Sequence, residues 1–225
     1  MSKFTIRTIP ILVLFLLAGV KQASAQGVSA YFGVGSATDG AGTSSGCPSK
    51  QLIDNFETLL GGIAACEPAP NIGGVFGVFG ADFMITPHLG INGEYSFRFA
   101  QAPFFPLVGL NVRPEFYDFN AVYEPVTGER KIVPVLEGGI GGTRLSLYLA
   151  QSGCSNSICL NPSQAAATSN HFQVHGAVGV KIYVRSDLFI KPQIDLHFSP
   201  NLNQQYSSDF VPQYTISIGY TFGQR

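Results

Sequence analysis

The side chains best suited to chemistry are few, and their spacing is the first thing to weigh. The chain has four histidines, and two of them, His175 and His197, fall on the polar faces of consecutive alternating segments. Facing imidazoles could ligate a metal or transfer protons. If the turn at Arg185-Ser186-Asp187 sets the simplest register, the two lie opposite each other. The same register sets Lys181 against Lys191, an unfavourable like-charge pair, and a shift of two residues is equally open. A polar interior is the plainer reading of the pair. No catalytic residue, metal ligand or cofactor is therefore assigned. No Gly-x-Ser-x-Gly elbow occurs, and the 26 glycines are spread through the segments rather than gathered into a phosphate-binding loop.

Four cysteines complete the reactive set. Cys47 and Cys66 lie in one inter-segment region, Cys154 and Cys159 in another. Of the three possible connectivities, local pairing (Cys47–Cys66, Cys154–Cys159) is the most economical in an oxidising compartment. Zinc is the rival reading, but neither pair has histidine or carboxylate neighbours at ligand spacing.

The polar face of the alternating segments includes Asp82, Glu94, Arg98, Glu137, Lys181, Lys191 and Asp195. Four acids and three bases in one lumen would form ion pairs and hydrogen bonds. An ion-selective pore would call for a wider barrel and one dominant sign. An eight-stranded barrel is only wide enough to be filled by side chains, so these residues are expected to fill it.

The elements that must position them are strands. In Gln213–Phe222, Tyr214, Ile216, Ile218, Tyr220 and Phe222 share one parity, and Gln213, Thr215, Ser217, Gly219 and Thr221 the other. A strand separates these sets onto two faces; a helix would scatter them. Leu188–Phe198 and His171–Val184 repeat the pattern. Gly27–Ser36, Gly74–Thr86, Gly90–Gln101, Leu110–Tyr123 and Lys131–Leu145 bring the expected strands to eight. Near Pro114 the alternation slips, because Arg113 and Glu115 share parity with Tyr117 and Phe119. A bulge, or a strand that rises out of the membrane, would account for it. One short helix is expected in the first long connection, where Leu52, Ile53, Phe56, Leu59, Leu60 and Ile63 make a single apolar face.

The connections are sorted by length. Pro87-His88-Leu89, Glu124–Arg130 and Arg185-Ser186-Asp187 are tight, and they alternate with longer stretches at 37–73, 102–109, 146–170 and 199–212. In an up-and-down barrel every short turn then falls at the end where both termini emerge. Outer-membrane barrels have this asymmetry of short periplasmic turns and long external loops.

The N-terminus reads as an export signal: Lys3 and Arg7, an apolar run from Ile9 to Val20, then Ala23-Ser24-Ala25. The run falls short of the ~20 residues that a spanning helix needs. Cleavage is expected between Ala25 and Gln26, leaving one barrel domain over 26–225. Three of the 13 basic side chains (Lys3, Arg7, Lys21) and none of the 14 acids precede that point, so the mature charge is −4. This mild acidity argues against a nucleic-acid partner.

A sheet in lipid must close on itself to satisfy its backbone groups, and eight strands of ~9–11 residues can cross the hydrocarbon layer. The expected architecture is an all-β, antiparallel, up-and-down transmembrane barrel, apolar outside and polar within. Tyr183, Phe189, Tyr220 and Phe222 are expected to form an interfacial aromatic girdle at the short-turn end.

The export signal, the eight alternating segments and the ending Ile218-Gly219-Tyr220-Thr221-Phe222 resemble the small outer-membrane β-barrel family, typified by the outer membrane protein A transmembrane domain. The stretches Arg113-Pro114-Glu115-Phe116-Tyr117-Asp118-Phe119-Asn120 and Glu137-Gly138-Gly139-Ile140-Gly141-Gly142 look like strands of its members. The resemblance implies residence in the outer membrane of a Gram-negative-type bacterium, outer-membrane lipid as surroundings, and a monomeric state. It also implies that the barrel-assembly machinery recognises the terminal strand through Tyr220 and Phe222. Lipid A-modifying barrels exist in this class. The deacylase among them uses a His-x-Ser-Asn stretch plus an acid, whereas here Ser169-Asn170-His171 has the wrong order and sits at a loop edge. A non-enzymatic structural or surface-interaction protein is the expectation; a lipid-modifying enzyme and a soluble lipocalin-like barrel are the alternatives.

Overall fold

Period-two alternation becomes eleven strands in the computed structural model, which describes residues 27–39, 72–105, 110–126, 130–149, 153–155, 158–160, 165–200, 202 and 208–223. They are β1 (Val28–Ala37), β2 (Val75–Met84), β3 (Leu89–Arg98), β4 (Ala102–Phe105), β5 (Leu110–Tyr123), β6 (Ile132–Leu149), β7 (Gly153–Ser155), β8 (Ile158–Leu160), β9 (Ala165–Tyr183), β10 (Leu188–Phe198) and β11 (Phe210–Phe222). The expected signal peptide with its Ala25–Gln26 cleavage point, Cys47, Cys66 and the expected loop helix lie outside the described residues.

Eight long strands form a closed antiparallel barrel. Each pairs with its neighbour in the chain, β3 pairs with β5, and β1 closes the circuit on β11 from Val28↔Phe222 to Ala37↔Gln213. Closure satisfies every strand on both edges, which lipid demands. The register runs from Ser29 through Asp82, Asn92, Asn120, Gly139, His175, His197 and Val211, and returns to β1 at the level of residue 39. The barrel therefore closes with a stagger of ten residues. At a strand spacing of ~4.8 Å and a rise of ~3.3 Å per residue, eight strands so staggered tilt by about 40°.

Two of the short connections are tight turns among the described residues. Thr86 Oγ1 accepts from the backbone N–H of His88 and Leu89 (3.3 and 2.9 Å), a side-chain mimic of a backbone turn. Between β9 and β10, Val184 N donates to Leu188 O at 2.9 Å. At the other end β6 and β9 are longer than the alternation indicated: β6 continues to Leu149 and β9 begins at Ala165. They pair with each other out to Tyr148↔Ala165, with a register shift at Leu147/Tyr148. The slip near Pro114 is no bulge between β5 and β6, whose register is unbroken from Leu110↔Leu149 to Tyr123↔Leu136. Arg113 and Glu115 simply point outward near the loop end of β5. There Arg113 Nη2 lies 3.2 Å and Arg144 Nη1 3.9 Å from the Glu115 carboxylate.

The faces sort as lipid requires. Phe32, Ile91, Phe119, Ile140, Val178 and Ile218, from six strands around the circuit, are all at least half exposed. Among the described strand residues, only Arg113, Glu115 and Arg144 are charged and outward, all at the loop end. A soluble barrel would have the reverse arrangement. The expected girdle needs correction. Tyr220 and Phe222 do face outward, but Tyr183 and Phe189 point inward and pack with Tyr31, Val78 and Val133. They share the parity of Lys181 and Lys191, and this decides their face. Tyr31 lies over Gly80, and Phe189 over Gly219. A Cβ at either glycine would stand 2.1–2.2 Å from the ring.

Candidate functional site

The polar residues of the inner face form one hydrogen-bonded column with two chemically different halves. Toward the short turns, cations organise it. Lys181 Nζ lies 2.8 Å from Asp82 Oδ2 and 2.6 Å from Glu124 Oε1. Lys191 Nζ lies 2.6 Å from Glu137 Oε1 and sits over the Tyr31 ring, 4.2 Å from its centroid. The two ammonium groups serve different acids, which relieves the like-charge conflict expected between them. Asn92 Nδ2 donates to Asp82 Oδ1 (2.6 Å) and to the Tyr31 hydroxyl (2.8 Å), and that hydroxyl donates to Glu94 Oε2 (2.7 Å). All these groups are buried except Glu124, at the rim.

Toward the loops, imidazoles and amides take over. His175 pairs directly with His197 across β9 and β10, so the simplest register is the real one. Their rings stack at 4.9 Å, and Phe116 stacks on the other face of His197 at 4.4 Å. Asp195 Oδ1 is 3.4 Å from His175 Nε2, and Asp118 Oδ2 is 3.6 Å from His197 Nδ1. His197 Nε2 lies 3.1 Å from Gln213 Oε1, a pure acceptor, so this nitrogen carries the proton and Nδ1 keeps its lone pair. Gln173 Nε2 bridges Asp118 Oδ1 (2.6 Å) and His197 Nδ1 (3.2 Å), while its Oε1 accepts from Thr143 (2.6 Å). Gln193 Nε2 donates to Asp195 and to Glu94, linking the two halves.

Above this layer lies a buried apolar cluster that includes Ile72, Phe76, Phe116, Leu145, Leu202 and Val211. A second, smaller cluster of Met84, Val122 and Val135 lies near the short turns. Buried apolar side chains thus pack at the loop end of the column.

Six of the seven charged residues expected to fill the interior meet in this column. Arg98 does not: it is half-buried at the loop end of β3, opposite Phe76 and against Gly74. Ser169-Asn170-His171 lies on the β9 extension, with His171 opposite Thr143 and apart from the histidine pair. Sequence reasoning missed Asp118 and Asn120; Gln173 falls on the polar face with His175 and Lys181 but was not counted in the interior cluster. Asp118 and Asn120 share parity with Phe116 and Val122, a signal that the outward Arg113 and Glu115 obscured.

No family model and no curated protein matches the chain. Solved structures do. The chain is similar to Neisserial surface protein A (12% identity, TM-score 0.55, covering 90% of this chain and 100% of that one). It is similar to the outer membrane protein OprG of Pseudomonas aeruginosa (11%, 0.53, 89% and 97%). It is also similar to the N-terminal β-barrel domain of Pseudomonas aeruginosa OprF (9%, 0.50, 89% and 100%). At these identities the likeness is one of fold, and the fold is the closed eight-stranded barrel of small outer-membrane proteins.

Proposed function

We propose that the mature chain is a monomeric integral outer-membrane β-barrel that is neither a channel nor an enzyme, a filled body that carries loops at the cell surface. One observation carries this reading: an unbroken, nearly uncharged apolar exterior surrounds a fully paired barrel whose lumen is ionic. Such a surface has no stable place in water, and lipid is its natural solvent. The inverted faces also speak against a lipocalin-like carrier, whose lumen would be apolar. The ionic column lies under the Phe76–Phe116–Leu145 layer, which argues against conduction and against reach of a lipid substrate to His175 or His197.

The same reading includes biogenesis. Removal of residues 1–25 rests on the Lys3, Arg7, Ile9–Val20 and Ala23-Ser24-Ala25 pattern, and recognition of the terminal strand by the barrel-assembly machinery fits Tyr220 and Phe222, which face outward where β11 seals to β1. A Cys154–Cys159 disulfide fits the β7–β8 hairpin, in which the two residues are directly opposite. Cys47–Cys66 is proposed on the cysteine count alone.

The test combines fractionation with electrophysiology. The protein is expected in the outer-membrane fraction, with gel mobility that changes on heating, and silent in planar lipid bilayers. A mature protein soluble without detergent, or stepwise conductance from the purified monomer, would overturn the reading. Mass spectrometry of lipid A from cells with and without the protein should show one acyl pattern; two patterns would make it an enzyme.

A further inference from the structure

The histidine layer differs from the rest of the lumen in charge. Lys181 and Lys191 compensate Asp82, Glu124 and Glu137. Among the described residues, Asp118 and Asp195 form ion pairs with histidines alone. Both carboxylates are essentially inaccessible, and a buried charge without a counter-charge is costly. One nitrogen each from His175 and His197 and one Asp118 oxygen all lie within 4.8 Å of one another. The 3.6 Å between Asp118 Oδ2 and His197 Nδ1 is too long for a hydrogen bond. It is close to the roughly 3.4 Å that separates two donors each ~2.0–2.2 Å from a tetrahedral ion. No protein group among the described residues completes a hydrogen bond to His175 Nε2 or Asp195 Oδ2.

We propose that Asp118, His175 and His197 form a buried site for a divalent transition-metal ion. Imidazole nitrogens with one carboxylate suit Zn(II), Co(II) or Fe(II) rather than Ca(II) or Mg(II), which take oxygen donors. The supporting groups are in place. Gln213 holds the proton on His197 Nε2 and turns Nδ1 toward Asp118. Asn120 Oδ1 lies 2.9 Å from His175 Nδ1 and Asp195 Oδ1 lies 3.4 Å from its Nε2, so whichever nitrogen takes the ion, an oxygen at the other can hold and orient the ring. Gln173 already reaches both Asp118 and His197. Reversal of its amide would aim Oε1 at the ion and Nε2 at the Thr143 and Ser199 hydroxyls, which can accept as well as donate. That reversal supplies a fourth donor. The ion would carry the positive charge that lysines supply in the other half. With the apolar layer above it, the ion would enter during folding and exchange slowly afterwards.

The test uses the full mature chain refolded from urea into detergent micelles with Zn(II) or Co(II), then desalted. Folding is scored by heat-modifiable mobility and metal by elemental analysis. About one equivalent per folded chain is expected, with visible Co(II) bands of a nitrogen–oxygen donor set. Asp118→Asn and His197→Gln should each lose at least tenfold in retained metal, and His88→Ala, at a turn, should lose none. Folded wild type that retains no metal overturns the site, as do folded variants that retain the full equivalent. A readout independent of variant folding is histidine-ring NMR on wild type. Co(II) should shift the rings of His175 and His197; shifts confined to His88 or His171 would refute the assignment.

Discussion

The two halves of the lumen solve one problem, buried carboxylates, by different means. Near the short turns, two lysines extend between Asp82, Glu124 and Glu137, so full charges meet full charges at 2.6–2.8 Å. Near the loops, Asp118 and Asp195 face imidazoles at 3.4–3.6 Å, and neutral amides complete the network. The first arrangement is intolerant of losing a partner. The second is softer, because amides can turn and imidazoles can change protonation or ligation. The ionic half lies beside the closed turns, and the adaptable half lies under the end that carries the loops.

This contrast can be broken, and the largest effect belongs to the ionic half. Lys191→Met should destabilise the barrel by about 3–5 kcal/mol, since it leaves Glu137 buried without its cation. The measurement is urea unfolding in lipid vesicles. The double variant Lys191→Met/Glu137→Met should recover most of that loss; if it is as unstable as the single, the cost lies in packing around Tyr31 rather than in charge. Gly80→Val comes next, at about 1–3 kcal/mol, because its side chain must displace the Tyr31 ring. A variant folding with wild-type stability would show that the ionic half has room to spare. In the adaptable half, His197→Gln, refolded without added metal, should cost about 1–2 kcal/mol, the scale of buried neutral hydrogen bonds. A loss equal to that of Lys191→Met would erase the distinction between the halves. Smallest of all, Arg144→Ala on the outer face should change stability by less than ~1 kcal/mol, since its half-exposed guanidinium stands 3.9 Å from Glu115, which keeps Arg113 at 3.2 Å.

Much of this was legible before any fold was in view. The bounds of β5 and β10, the sorted turns and the outward set of β11 all follow from parity and from turn residues. The His175–His197 pairing was one of two registers that the Arg185-Ser186-Asp187 turn left open, and the structure selects it. What misled was local: the outward Arg113 and Glu115 hid the inward parity of Asp118, and the aromatic character of Tyr183 and Phe189 suggested a membrane interface although their parity put them inside. The extension of β6 and β9 beyond Leu145 and His171 was also hidden. Outside lipid neither face needs to be apolar, so alternation stops reporting strands there.

The sequence by itself determined that strands form, which side of the regularly alternating ones faces lipid (β5 excepted), and which end holds the short turns, because these depend on period-two geometry and nearest-neighbour turns. Only the tertiary structure decided which polar groups meet. Lys181 of β9 reaches Asp82 of β2, Gln193 of β10 reaches Glu94 of β3, and Gln173 of β9 reaches Asp118 of β5. None of these strands are neighbours in the sheet. Their contacts come from closure at a ten-residue stagger, which sets how far each strand slides past the next and how narrow the lumen becomes. No single strand's pattern contains that quantity, and the separation into a lysine half and a histidine half follows from it.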